Sequence, residues 1–268
     1  MNEKRVVLVT GASSGIGRSC AEFLAGRGYR VYGASRAPVP HPLFESLPMD
    51  VREESQVRAA VNGLMKREGR LDVVVNNAGI AFAGAVEDTS IEEAREQFDV
   101  NFFGALRVCR AVLPILRRQR SGWVVNIGSI GGLVAIPYQG LYSASKFALE
   151  GLSESLRLEV RQFGVRVVLI EPGDHRTGLT GNRRGTAASE SNPAYREPFG
   201  RAVRRMAADE QGGPEPEAVA RLLHRIVNRS HPRLRYTVGP VPERAAVWLK
   251  RLLPYAVLER VMGAYYSR

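Results

Sequence analysis

A doubly wound α/β fold is what this 268-residue sequence predicts, on three observations. Short, β-branched apolar runs alternate with helical patterns from residue 5 to residue 173. A glycine-rich stretch, Gly11-Ala12-Ser13-Ser14-Gly15-Ile16-Gly17, joins the first run to the first helix. Small polar residues close a later run at Asn76-Asn77-Ala78-Gly79, the kind of strand end at which open α/β sheets bind ligands. Such alternation calls for a parallel sheet covered by helices on both faces.

Composition agrees with one large domain spanning residues 1–268. Hydrophobic residues make up 44% and charged residues 24%, the proportions of a soluble globular chain. No apolar run reaches the roughly 18 residues of a membrane span. The Gly/Ser turn interrupts the first apolar run too early for a secretory signal. Cys20 and Cys109 lack framework or metal-ligand spacing and fit small core residues in a reducing cytoplasm, with no metal expected. The net charge of +11 is uneven: residues 1–174 carry 21 Lys+Arg against 19 Asp+Glu, residues 175–268 carry 17 against 8. A basic third can meet an anionic partner. Because 34 of the 38 basic residues are Arg and lie along the whole chain, a coding bias toward Arg is the favoured reading, and nucleic acid is not expected as a partner.

Residues 5–10 (RVVLVT) read as a buried strand ended by glycine. The helical pattern after it puts Cys20, Phe23 and Leu24 on one face and stops near Gly26 to Gly28. A strand that turns through glycines into a helix gathers unpaired N–H groups and a positive dipole end at one point. Glycine lets the backbone approach a pyrophosphate, and Ser13 and Ser14 add hydroxyl donors. The spacing departs from the Gly-x-Gly-x-x-Gly fingerprint, yet its place between first strand and first helix favours a nucleotide. Residues 30–34 (RVYGA) form the second strand, which ends at Ser35-Arg36 without a carboxylate. NAD-preferring folds put an acid there on the adenosine ribose. Arg36 can instead pair with a ribose 2′-phosphate, which favours NADP(H) over NAD(H); the plainer alternative is a solvated arginine.

Pro38, Pro40 and Pro42 forbid a helix in the next connection, so this crossover is expected as a loop leading to a weak strand at 43–49. That strand ends at Asp50-Val51, where Asp50 can accept from an adenine amino group or cap the helix that begins near Glu53. Residues 55–68 are amphipathic, and 71–75 (LDVVV) form a fourth strand. A long helical pattern covers 90–118, interrupted by Asn101, Gly104 and Pro114. Asn101 stands among Val100, Phe102, Phe103 and Leu106, and one way for such a buried amide to find partners is to fill a break in the helix ladder.

A fifth strand at 123–127 leads to Ser129. A helix over 142–163, a sixth strand at 165–170 and Glu171-Pro172-Gly173 follow. Tyr142 and Lys146, four apart, share a helix face with Cβ atoms about 5–6 Å apart. An ammonium there is expected to lower the phenol pKa from about 10, so that the tyrosine trades a proton with an alcohol or carbonyl. Ser129 can hold the same oxygen. From 174 to 213 the pattern weakens around a short helix at about 199–208 and reads as a lid over a substrate. A helix at 216–227, an edge strand at 234–238 and a tail of two amphipathic helices split at Pro254 (residues 241–268) complete the chain. Flanked by Arg244, Lys250, Arg251 and Arg260, the tail helices can touch a membrane peripherally, cover the pocket or join subunits; packing is the preferred reading.

TGASSGIG, NNAG, Asn101, Ser129, YSASK and PG, in this order, resemble the short-chain dehydrogenases/reductases over about residues 5–177. The PGD segment and LKRLLP tail look most like the 17β-hydroxysteroid and retinol dehydrogenase branch. The resemblance implies a single-domain Rossmann fold with a seven-stranded parallel sheet and a helical C-terminal extension. It implies Tyr142 as general acid/base, Lys146 as the group that lowers its pKa and binds the nicotinamide ribose, Ser129 on the substrate oxygen, and Asn101 on a proton-relay water. Gly11, Ser13, Ser14, Gly15, Ile16 and Gly17 would line the pyrophosphate; Ser35, Arg36, Asp50 and Val51 the adenosine end. Asn77, Ala78 and Gly79 would flank the cofactor, with Pro172, Gly173 and Thr177 at the nicotinamide amide. Relatives commonly form homodimers or homotetramers through helices matching 90–118 and 142–163. Between Ser129 and Tyr142, a lining of Ile130, Ile136, Tyr138 and Gln139 would suit an apolar, steroid-, retinoid- or lipid-like carbonyl or alcohol. Some of these side chains can instead pack against the helix.

The leading expectation is thus a cytoplasmic NADP(H)-dependent oxidoreductase. The contrasting one is a non-catalytic dinucleotide sensor that meets nucleic acid or membrane through its basic C-terminal third. The complete Asn101–Ser129–Tyr142–Lys146 set weighs for the enzyme.

Overall fold

Runs of Val, Leu and Ile without polar alternation are stable as strands covered on both faces, and the computed structural model, which describes residues 4–38, 40–177 and 183–267, uses them so. β1 (Val6–Thr10) is buried throughout and leads through the glycine-rich turn into α1 (Gly15–Ala25) and then β2 (Arg30–Ser35). Among the described residues no helix separates β2 from β3 (Glu45–Pro48), as the three prolines require. α2 (Glu54–Glu68), β4 (Val73–Asn76) and the two-residue β5 (Phe82–Ala83) follow. Then come α3 (Ile91–Phe98), α4 (Ala105–Gln119), β6 (Gly122–Ile127), α5 (Gly140–Val160) and β7 (Val165–Pro172). Beyond these lie β8 (Arg184–Gly185), α6 (Ala187–Ser191), α7 (Arg196–Gly212), α8 (Glu217–Val227), β9 (Arg235–Val238), α9 (Val241–Leu252) and α10 (Tyr255–Ser267).

Seven strands pair in the order β3–β2–β1–β4–β6–β7–β9, every pairing parallel, with β9 at the edge as expected. The strand order reverses between β1 and β4, so a crevice opens at the carboxyl ends there. One face of the sheet buries Leu8, Val74 and Val124 against α2 and α4 through Val61, Leu64, Val112 and Leu116. The other buries Val9, Val75 and Ile170 against α1 and α8 through Cys20, Leu24, Leu223 and Ile226.

Three expectations change in detail. The long helix is interrupted once, by a π-helical turn at Asp99–Gly104, while Pro114 sits inside an unbroken α4. Ser90 and Glu93 form a capping box that starts α3. α5 begins at Gly140, two residues before Tyr142. The segment expected as an irregular lid is largely ordered: β8 pairs with β5, and α6 and α7 follow. Residues 178–182 of that segment, like residues 1–3, lie outside the described residues. The tail splits at Pro254 as expected, but its packing is slight: α9 buries no side chain.

Candidate active site

Three elements converge where β6 ends. Past Ile127 the chain turns to Ser129, whose hydroxyl accepts from the Gly131 N–H at 3.0 Å and caps a short 3-10 turn. Tyr142, on the first turn of α5, brings its ring against Gly131, on the same side as the Ser129 hydroxyl. One turn on, Lys146 is buried; its ammonium donates to the Ile127 carbonyl at 2.9 Å and lies 5.9 Å from the centre of the Tyr142 ring. Asn101 stands buried in the π-helical turn, and its amide reaches out of the helix instead of filling the break in the ladder. Its Oδ1 accepts from Ile80 N at 2.9 Å, and its Nδ2 donates to Ile80 O and to the Ser145 hydroxyl, both at 3.1 Å. Ser145 lies between Tyr142 and Lys146, so the π turn is tied to α5.

The electrostatics differ from the expectation. Tyr142 is half-buried, and desolvation pushes its pKa up to about 12 against a smaller opposing pull from Ser129. Lys146 was expected to lower it. Burial instead brings Lys146 itself down to about 8, with Glu171 opposing, which weakens the ammonium as a neighbour. Glu171 lies directly behind the site on β7. Its Oε2 accepts from Ser129 N at 2.6 Å, and burial together with the adjoining Glu150 carboxyl drives its pKa well upward. Oε1 of Glu171 and Oε1 of Glu150 have no donor, so one proton shared between the two carboxyls satisfies both. Glu150 in turn holds Arg235 of β9.

The crevice beside β1 is built from close backbone contacts. A Cβ on Gly17 would lie 2.3 Å from Asn77 Nδ2 and from the Gly11 carbonyl oxygen, and one on Gly11 would lie 2.8 Å from the Ala78 Cα. Thr10 Oγ1 accepts from both Asn77 N and Ala78 N at 3.0 Å, which draws the end of β4 against the turn. Asn101 Oδ1 lies beside Gly79, and Thr177 lies over Gly15, which has φ +55°. Ser13 and Ser14 are exposed, Ile16 is half-buried, and Pro172 ends β7. At the far end Arg36 is exposed next to Ser35. Asp50 is gripped by Arg52 through both carboxylate oxygens, which holds its pKa below the usual range; Glu53, not Asp50, is the N-cap of α2. Val51 is buried against Gly104.

On the opposite side, Ile130 crowds Gly173 and Ile136 packs on Gly131. Tyr138, at φ +59°, faces Phe199 of α7 with ring centres 5.8 Å apart, and Gln139 is the buried N-cap of α5. α9 crosses above: Glu243 accepts from Asp174 N at 2.8 Å, and Lys250 donates to the Leu133 carbonyl. Burial among Glu243, Glu210 and Asp209 pushes Asp174 up to about 8.

The short chain dehydrogenase family model matches residues 5–188. This chain belongs to the short-chain dehydrogenases. The 3-ketodihydrosphingosine reductase of Bacteroides thetaiotaomicron is 40% identical to it, over 99% of each chain. The NADPH-dependent 3-dehydrocapnine reductase of Ornithobacterium rhinotracheale is 33% identical, over 96% of this chain and 95% of that one. A short-chain dehydrogenase from Streptomyces avermitilis has the same fold, with a TM-score of 0.83 and 34% identity over 98% of this chain and 99% of that one.

The dehydrogenase is thus an oxidoreductase with a nicotinamide dinucleotide cofactor, and its crevice fits one. No acid stands in the first turn of α1, and Ser14 makes no side-chain cap, so the helix N–H groups are available to a pyrophosphate. A shallow cleft of about 460 Å³ at the amino ends of β1 and β2, lined by Lys4, Arg30, Glu68 and Arg70 among others, holds none of these residues. The sequence reading missed Ser145, Glu171 and Glu243. Glu171 could have been noticed as a carboxylate ending an apolar strand run; Glu243 carries no local signal.

Proposed function

We propose that this dehydrogenase reduces a long-chain, lipid-like ketone with NADPH, with Tyr142 as the proton donor. The observation that carries the reading is the meeting of Ser129, Tyr142 and Ile136 around Gly131, with Lys146 anchored on the Ile127 carbonyl beside them. The nicotinamide, when bound, supplies the hydride. Ser129 holds the carbonyl oxygen. A phenol with its pKa near 12 keeps its proton until that oxygen gains charge, then gives it up. Lys146, fixed on the Ile127 carbonyl, stands ready to balance the phenolate that remains. Asn101 holds the π turn and, through Ser145, the register of α5.

Arg36, exposed at a strand end without a carboxylate, supports the phosphate preference. Support for a lipid ketone comes from the similarity to the 3-ketodihydrosphingosine reductase above. Exposed Phe103, Phe147 and Leu158 on the central helices support a homo-oligomer. Buried free Cys20 and Cys109 fit a cytoplasmic protein.

The test is steady-state turnover with NADPH and NADH on 3-ketodihydrosphingosine and on short ketones. Tyr142→Phe is expected to lower kcat by about 10²–10⁴-fold and to leave NADPH affinity unchanged; undiminished turnover would falsify the assigned proton donor. Arg36→Ala is expected to raise the KM for NADPH about tenfold and spare NADH. Tighter binding of NADH by the unaltered protein would remove the role given to Arg36.

A further inference from the structure

α9 is amphipathic the wrong way round for a helix that only packs on its own domain. Val241, Ala245, Trp248 and Leu252, spaced four, three and four, form a single stripe, and all four are exposed. Trp248 is 64% and Leu252 77% exposed. The opposite side carries Glu243 and Lys250, seven apart, which bond to the loops after β7 and β6. A surface helix ordinarily turns its apolar stripe inward; this one anchors by its polar side and presents the apolar side outward. α10 buries Leu258 and leaves Tyr255, Val257 and Val261 exposed around it. Charge on the outer surface is one-sided, with Arg244, Arg251 and Arg260 exposed against the single acid Glu259.

We propose that the outer face of α9 and α10 docks on an anionic lipid bilayer. Aromatic and aliphatic side chains flanked by arginines are the chemistry of a helix that lies in a lipid headgroup layer. No helix among the described residues is long and apolar enough to cross a membrane, so the pair lies on the surface. A second copy fits the charge less well, because a two-fold contact would set the three arginines against the same three. Since α9 spans the loops that carry Leu133 and Asp174, docking brings the mouth of the site to the bilayer. This use of the face rests on the lipid-ketone reading above; the binding does not.

The experiment is flotation of the full-length protein, without substrate, on vesicles of phosphatidylcholine alone and of equimolar phosphatidylcholine and phosphatidylglycerol. The protein should float with the anionic vesicles only, with a blue shift of Trp248 emission; the other tryptophan, Trp123, is buried in β6. Replacing Arg244 and Arg251 together by Gln should weaken partitioning about 30-fold, and Trp248→Gln with Leu252→Gln should abolish it. Both variants should turn over a short soluble ketone at the parent rate. Absence of flotation, or flotation that both variants retain, overturns the proposal. So does a solution dimer that the Trp248/Leu252 variant splits, which would assign the face to a second copy. Flotation without turnover of lipid ketones would keep the docking and remove the substrate reading.

Discussion

α5 and α9 both cover the carboxyl ends of β6 and β7, yet they are built on opposite terms. α5 buries Ser143, Ser145, Lys146, Glu150 and Ser153 beside Leu149, Leu156 and Val160. Apart from Glu150 Oε1, these buried groups are met in detail: Ser145 by Asn101 and the Tyr142 carbonyl, Ser153 by Asn126 and the Leu149 carbonyl, Lys146 by the Ile127 carbonyl. α9 buries nothing and touches the domain through Glu243 and Lys250. The difference shows that a helix can hold a site by sinking polar groups that the sheet then satisfies, or can cover a site and keep its apolar stripe for something else. Polarity along the sequence does not tell these apart.

The sharpest break of that contrast is Lys146→Met. Activity should fall about 10²-fold or more, as when a proton donor loses its partner. Stability at pH 7 should hold or rise, because a lysine pushed down to about 8 is charged against the preference of its surroundings. A large fall in the urea midpoint would show that the buried ammonium is a structural prop. Next comes Asn101→Leu, which leaves the Ile80 N–H without its acceptor while Gln97 still serves the Ile80 carbonyl. The expected loss is about 1–3 kcal/mol in equilibrium unfolding; an unchanged midpoint would mean the π turn does not need its amide.

Glu171 sharpens the comparison through pH. Its folded pKa is raised, so its contribution to stability is full below the ordinary value of 4.5 and is lost as pH rises through the folded value. Glu171→Gln keeps an acceptor for Ser129 N and has no proton to lose, so part of the decline in stability with rising pH should vanish. Asp174, raised to about 8, keeps its own share of that decline. Glu171→Leu should instead cost about 1–3 kcal/mol at every pH, and equal behaviour of the two variants would sink the shared-proton arrangement. The smallest effect belongs to α9: Trp248→Gln should shift unfolding by no more than about 0.5 kcal/mol. A larger loss would show that Trp248 packs on the domain.

Much of this was legible beforehand because it depends on local pattern. The buried runs around Val7, Val74, Val124 and Val168 have no polar alternation, and parallel strands covered on both faces accept nothing else. The break at Asn101 could be anticipated because an amide in an apolar face must be paired. The pKa of Tyr142 could not, because spacing reports the neighbour at i+4 but not the desolvation, and desolvation dominates. The helix expected at about 199–208 is the middle of α7, but its full length and the order of β8 and α6 were missed, since they come from contacts such as β8 on β5 and Tyr138 on Phe199, far apart in the chain.

The sequence by itself determined the sheet, the glycine-rich turn, and the identity and order of Asn101, Ser129, Tyr142 and Lys146, because backbone pairing, close approach and helix spacing are properties of short segments. Only the tertiary structure decided what surrounds them. It put Glu171 behind Ser129, half-buried Tyr142 so that desolvation raises its pKa, and turned the apolar stripe of α9 outward. Those outcomes depend on desolvation and on partners up to 117 residues away, as with Lys250 and Leu133, and no local pattern records them.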